Sequence, residues 1–83
     1  QNNSPFRELT VASNYMKGAD VLNLQKRLVK LGFSVQVDGI YGKSTANVIK
    51  KAQQKYGLPV TGIVDYKTWE TIINLTHYMP YAF

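Results

Sequence analysis

Asp38-Gly39-Ile40-Tyr41-Gly42-Lys43-Ser44-Thr45 recurs in looser form as Thr61-Gly62-Ile63-Val64-Asp65-Tyr66-Lys67-Thr68, with Gly, Ile and Thr in register. Each copy follows a helix-like segment closed by glycine and an apolar residue, Gly32-Phe33 or Gly57-Leu58, and each leads into another helical pattern. The chain therefore reads as two imperfect copies of helix, glycine turn and helix start, and an internal repeat of this kind constrains the whole fold. The glycine of each copy marks a backbone position with positive φ or little room for a side chain, and the isoleucine after it can drop into a shared core.

On the N-terminal side of the first copy, a helix is predicted from about Ala19 to Leu31. Gly18 serves as its N-cap, and Asp20 suits the positive end of the helix dipole. Val21, Leu24, Leu28 and Leu31 fall at helical spacing, Leu22 and Val29 widen the stripe, and Asn23, Lys26, Arg27 and Lys30 take the other side. Gln25 lies on the apolar side, between Val21 and Val29. A buried amide needs partners, and backbone groups of a neighbouring loop are the expected ones. Phe33-Ser34-Val35-Gln36-Val37 alternates with period two, the pattern of a short extended segment.

The first copy runs into a second helix, from Lys43 or Ser44 to Tyr56, with Val48, Ile49, Ala52 and Tyr56 inward and Lys50, Lys51 and Gln54 outward. Gly57 closes it, and Pro59 prevents its continuation. A third helix starts near Asp65, a strong N-cap, carries Trp69, Ile72 and Ile73 on its buried side and ends before Pro80. The fold class is mainly α: a compact three-helix domain of two helix-turn-helix repeats with short extended segments between helices. Residues 1–14 read as a linker or extended arm whose Phe6, Leu9 or Val11 can lie against the body, residues 15–75 as the domain, and residues 76–83 as an aromatic tail. Such a tail is expected to fold over the core or dock on a neighbouring domain.

The totals narrow the function. Eighty-three residues make one domain, and 45% apolar against 18% charged residues excludes wholesale disorder. No apolar run approaches the roughly 20 residues of a membrane span. Opening on Gln1 without a signal-peptide pattern is what an excised piece of a longer protein would do. Cysteine is absent and His77 is the only histidine, so neither a metal site nor a cofactor is expected, nor an enzyme built on histidine. Asp38 and Asp65 could in principle be the two carboxylates of a glycosidase, but turn and cap chemistry explains both. The net charge of +5 fits a polyanionic partner (nucleic acid, a membrane surface or a cell wall) as well as a plain solvated basic surface. A helix-turn-helix DNA reader, with Lys50, Lys51 and Lys55 facing phosphates, is the alternative function. Against it stand connections longer than the usual turn, and a second helix without a cluster of Arg, Asn or Gln at its first turn.

Taken together, Tyr15-Met16-Lys17-Gly18-Ala19-Asp20-Val21, Leu24-Gln25, Leu28, Leu31-Gly32-Phe33, Asp38-Gly39, Tyr41-Gly42, Thr45, Gln53, Gly57-Leu58, Gly62 and Thr68-Trp69 resemble the type 1 peptidoglycan-binding domain over roughly Arg7 to Ile73. Ala52 stands where that family usually has Phe, Lys43 where it often has Pro, and the tail lies outside the pattern; Tyr56 or a tail aromatic is expected to fill the volume beside Ala52. The resemblance implies two pseudo-symmetric halves and a non-catalytic module that anchors a covalently attached wall hydrolase to peptidoglycan. The implied setting is extracellular, at the bacterial cell wall, with stem peptide and glycan as ligand, a monomeric state, and neither nucleic acid nor membrane span. It also implies a shallow groove near the loops joining the helices. The ligand-binding candidates are therefore Asp38, Tyr41, Gly42, Lys43, Ser44, Thr45, Asp65 and Tyr66. There Tyr41 would pack on a sugar face or peptide methyl, Lys43 would meet a stem-peptide carboxylate, and Ser44 and Thr45 would offer hydroxyls. Lys43→Ala and Tyr41→Ala are expected to weaken wall binding without unfolding the domain.

Overall fold

The stripe of Val21, Leu24 and Leu28 forms one face of α1 (Ala19–Lys30), and all three side chains are buried. Gly18 precedes α1 without a side-chain cap. Asp20 accepts from the Val21 N–H at 2.9 Å and takes both arms of the Arg7 guanidinium at 2.7 and 2.9 Å. Val29 is exposed, contrary to its predicted place in the stripe. At 100° per residue it lies about 80° round from Val21, beyond the buried arc.

In this computed structural model, which describes residues 6–77, α1 is followed by α2 (Lys43–Lys55) and α3 (Tyr66–Thr76). Two short strands that the sequence pattern did not signal, β1 (Met16–Lys17) and β2 (Ile40–Tyr41), pair antiparallel, Met16 opposite Tyr41 and Lys17 opposite Ile40. Phe33 to Val37 joins no ladder; Phe33 and Val35 instead lean on the core from an irregular loop. Both α1 and α2 end in the same hydrogen-bonded wrap. Phe33 N–H donates to Leu28 O at 3.0 Å and Leu58 N–H to Gln53 O at 2.8 Å, satisfying carbonyls that helix ends leave open.

On α3 the Asp65 carboxylate accepts from the Thr68 N–H at 2.9 Å, the expected cap. Its buried line is Thr68, Ile72 and Thr76, so Trp69 and Ile73 sit half-buried on the flanks of the face predicted for them. Thr76 lies inside the helix and not in the tail. Its hydroxyl donates to Ile72 O and accepts from Arg27 Nη1 at 2.7 Å, tying α3 to α1. Tyr56 packs against the core next to the buried Ala52. The expected fold-back of the aromatic tail falls on residues 78–83, outside the described range.

The N-terminal arm belongs to the body from Arg7 onward. Leu9 is 2% exposed and forms an antiparallel bridge with Val64, its N–H donating to Val64 O at 3.2 Å and the Val64 N–H to Leu9 O at 2.9 Å. Arg7 also donates to Lys17 O, next to its bond with Asp20.

Candidate ligand-binding surface

Two buried glutamines build the repeated turns. Gln25 Oε1 accepts from the Asp38 and Gly39 N–H groups at 3.0 and 2.8 Å, while its Nε2 lies 3.0 to 3.1 Å from Asp38 Oδ1, Ile40 O and Thr45 Oγ1. Gln53 does the same one repeat later. Its Oε1 accepts from Thr61 and Gly62 N–H at 2.9 and 3.0 Å, and its Nε2 faces Thr61 Oγ1, Ile63 O and Thr68 Oγ1 at 3.0 to 3.2 Å. The converging backbone N–H groups fix which end of each amide is oxygen. In the first turn the Asp38 carboxylate accepts from the Ile40 N–H; in the second, the Thr61 hydroxyl accepts from the Ile63 N–H. Gly39 and Gly62 both have φ of 76°, the left-handed conformation in which a Cβ is costly.

The residue that drops into the core from each turn is not the isoleucine, as the pattern predicted, but the one after it. Tyr41 and Val64 are both 0% exposed, whereas Ile63 is 37% exposed. The Ile40 and Ile63 carbonyls are held by the glutamines, which turns the following side chain inward.

Tyr41 joins the two turns. Its hydroxyl donates to the Gly62 carbonyl at 2.7 Å, so the first turn is bonded through one side chain to the second. Burial pushes the phenol above its ordinary range and keeps it a donor. Tyr41 therefore cannot pack on a sugar or peptide, which corrects its predicted role: it has no surface to offer. Thr45, 3% exposed and bonded to Gln25, likewise supports the turn from within.

The other candidates divide by whether a turn or cap already holds them. Asp38 and Asp65 are committed to their own turn and cap, and Gly42 is the half-buried N-cap of α2. Lys43 and Ser44 stand exposed on the first turn of α2, which has no side-chain cap and no acidic residue. Tyr66 is 62% exposed, and its ring meets Phe6 edge to face, centroids 5.6 Å apart. The start of α2 thus offers a cation, a hydroxyl and an open helix N-terminus, and the start of α3 an exposed aromatic ring.

Residues 17–72 match the family model described as "Putative peptidoglycan binding domain". The chain belongs to the peptidoglycan-binding domain family. A spore cortex-lytic enzyme of Bacillus cereus is 40% identical over 62 residues, which are 74% of this chain and 24% of the relative. The N-acetylmuramoyl-L-alanine amidase CwlH of Bacillus subtilis (strain 168) is 38% identical over 61 residues, 65% of this chain and 24% of the relative. Among solved structures, the SleB N-terminal domain superimposes with a TM-score of 0.76 at 34% identity, covering 84% of this chain and 93% of that one. A Burkholderia AP3 phage endolysin superimposes with a TM-score of 0.73 at 34% identity, covering 81% of this chain and 25% of that one. The chain spans about a quarter of the length of the curated relatives it matches. It is a peptidoglycan-binding module of the kind found within cell-wall lytic enzymes.

In this peptidoglycan-binding domain the two candidate carboxylates are unsuited to acid catalysis. The Ile40 N–H, with Gln25, holds Asp38 below the ordinary carboxylate range, and the Thr68 N–H and hydroxyl do the same for Asp65. A glycosidase acid needs the opposite shift. Among the described residues no cluster of three or more His, Cys, Asp or Glu could hold a metal. Two roles escaped the sequence reading, which named Gln53 only among the residues of the family resemblance. Gln53 is the structural twin of Gln25, legible in principle as a glutamine on the buried side of the helix that precedes each glycine turn. The spacing hid it, because the glutamine stands 14 residues before its glycine in one copy and 9 in the other. Phe6 was expected only to lie against the body; it stands outside the region that the family pattern covers, and no local pattern announced Tyr66 as its partner.

Proposed function

We propose that the domain binds peptidoglycan without catalysis at the surface formed by the two glutamine-built turns and the start of α2, and that it anchors an attached wall hydrolase to its polymer. The observation that carries this reading is the Tyr41 hydroxyl bonded to the Gly62 carbonyl, which makes the two turns one preorganised surface. On it, Lys43 and the uncapped N–H groups of α2 meet a stem-peptide carboxylate, Ser44 supplies a hydroxyl, and Tyr66 takes the sugar face that Tyr41 cannot reach. So small a surface holds one repeat unit weakly and gains from polymer valency and tethering. The domain acts as a monomer, outside the cell at the wall.

Co-sedimentation with purified sacculi tests this. The domain pellets with sacculi, releases no soluble muropeptides, and loses binding in Lys43→Ala and Tyr66→Ala without losing its melting transition. A domain that stays in the supernatant at both low and moderate salt, or that cleaves the wall by itself, would overturn the reading.

A further inference from the structure

The outer face of α2 is uniformly cationic. The helix carries Lys43, Lys50, Lys51 and Lys55 and no carboxylate, and all four lysines are exposed. Its buried residues run along one side, so at 100° per residue the four lysines share an arc of about 140° with Asn47 and Gln54. Among the described residues none of the four makes an ion pair: Asp20 is taken by Arg7, Glu70 faces Lys67, and Asp38 and Asp65 serve their own turns. The Lys55 ammonium lies 5.6 Å above the Phe33 and Tyr56 rings, which holds its charge at the surface.

Helix physics does not call for this arrangement. Lys51 and Lys55 are like charges one turn apart, and Lys43 stands at the positive end of the helix dipole; both weaken the helix. A partner that supplies negative charge removes both costs. The apolar side of α2 is spent in the core, so the helix has nothing to insert into a lipid surface. Lysine ammonium groups are point charges on flexible stems, suited to scattered phosphates and less so to planar or bidentate recognition.

We infer that the outer face of α2 is a second docking surface, for a phosphodiester-linked anionic polymer of the cell wall, engaged alongside the peptidoglycan surface at the turns. The setting at the wall rests on the function proposed above; the two surfaces meet at Lys43, the first residue of α2, and Lys50, Lys51 and Lys55 lie outside the peptidoglycan surface. The face is about 18 Å long from Lys43 to Lys55, enough to follow several phosphates of a flexible chain.

The test titrates the 83-residue chain with soluble poly(glycerol phosphate) between roughly 50 and 200 mM salt, following affinity against salt. Four phosphate contacts on a flexible strand give a log–log slope of about −3, and Lys51→Gln/Lys55→Gln brings it to about −1.5 with at least a roughly tenfold weaker low-salt affinity. Lys51→Gln alone takes about half of that change, so the outcome stands even if the double variant fails to fold. Sacculi stripped of phosphate polymers still bind the double variant through the turns; loss of that binding alone would count against the peptidoglycan surface and not against this face. The inference falls if the wild type ignores the polymer at the lowest salt or if Lys51→Gln leaves the slope unchanged. It also falls if duplex DNA at equal phosphate concentration binds more tightly, which would mark the face as a nucleic-acid surface.

Discussion

Gln53→Met is nearly isosteric and separates the hydrogen-bonding role of the twin amides from simple core filling. Gln53 is 1% exposed, and replacing its amide removes the acceptor for two N–H groups, of Thr61 and Gly62, and the donor to Ile63 O. Gly62 is buried, so its N–H is left without water or partner, at a cost of about 1–3 kcal/mol. Thr61 and Ile63 are exposed and can rehydrate, so each adds only about 0.5–1 kcal/mol. The sum is about 2–5 kcal/mol, a large share of the roughly 4–12 kcal/mol that a chain of this length commands. In a domain of this size that lowers Tm by at least about 10 °C, readable by circular dichroism, with a urea midpoint that falls at constant slope. Because the second turn would lose its shape, sacculus binding should weaken even at a temperature where the variant is folded. A melt within about 2 °C of the wild type would refute the argument, since it would mean that the turn holds itself without the amide.

Tyr41→Phe removes only the bond to Gly62 O and should cost about 1–3 kcal/mol, because a buried carbonyl is orphaned. Tyr41→Ala should cost about 3–5 kcal/mol and unfold a fraction of the protein, in place of the selective binding loss expected from the sequence; urea titration distinguishes the two. Leu9→Ala should cost about 2–5 kcal/mol if the arm is part of the core, and no loss of thermal stability would return it to the status of a linker. Asp65→Ala should cost about 0.5–2 kcal/mol with Asp65→Asn recovering most of it, as for an N-cap; equal melts for the two variants would remove that role. Asp20, Asp38 and Asp65 all lie below their ordinary carboxylate values, Asp20 chiefly through its hydrogen bonds from Arg7. Their contribution to stability is present above the unfolded value near pH 3.9 and is lost as pH falls through the folded values. The urea midpoint should therefore be lower at about pH 2.5 than at about pH 6, and an equal midpoint would contradict the assignment of these partners.

The three helices and nearly all their ends were legible before any folding, because the apolar spacing of Val21, Leu24 and Leu28, the glycine closures and the Asp65 cap are local signals that need no tertiary partner. The sequence also marked Gln25 as a buried amide bonded to a neighbouring loop, since a polar residue on an apolar stripe has few other ways to be satisfied. Several features were decided by contacts between residues far apart in the chain. One is which side of each turn faces inward: Ile40 and Tyr41 are both apolar neighbours, and the glutamine's grip on the Ile40 carbonyl, set from another helix, chooses between them. Another is the docking of Leu9 on Val64, which burial against the second turn requires and no local period announces. The pairing of Tyr41 with Gly62 belongs here too. A tyrosine beside a glycine turn can face either a ligand or the core, and only the position of the second turn, brought within 2.7 Å by the packed helices, makes it a strut between the two turns.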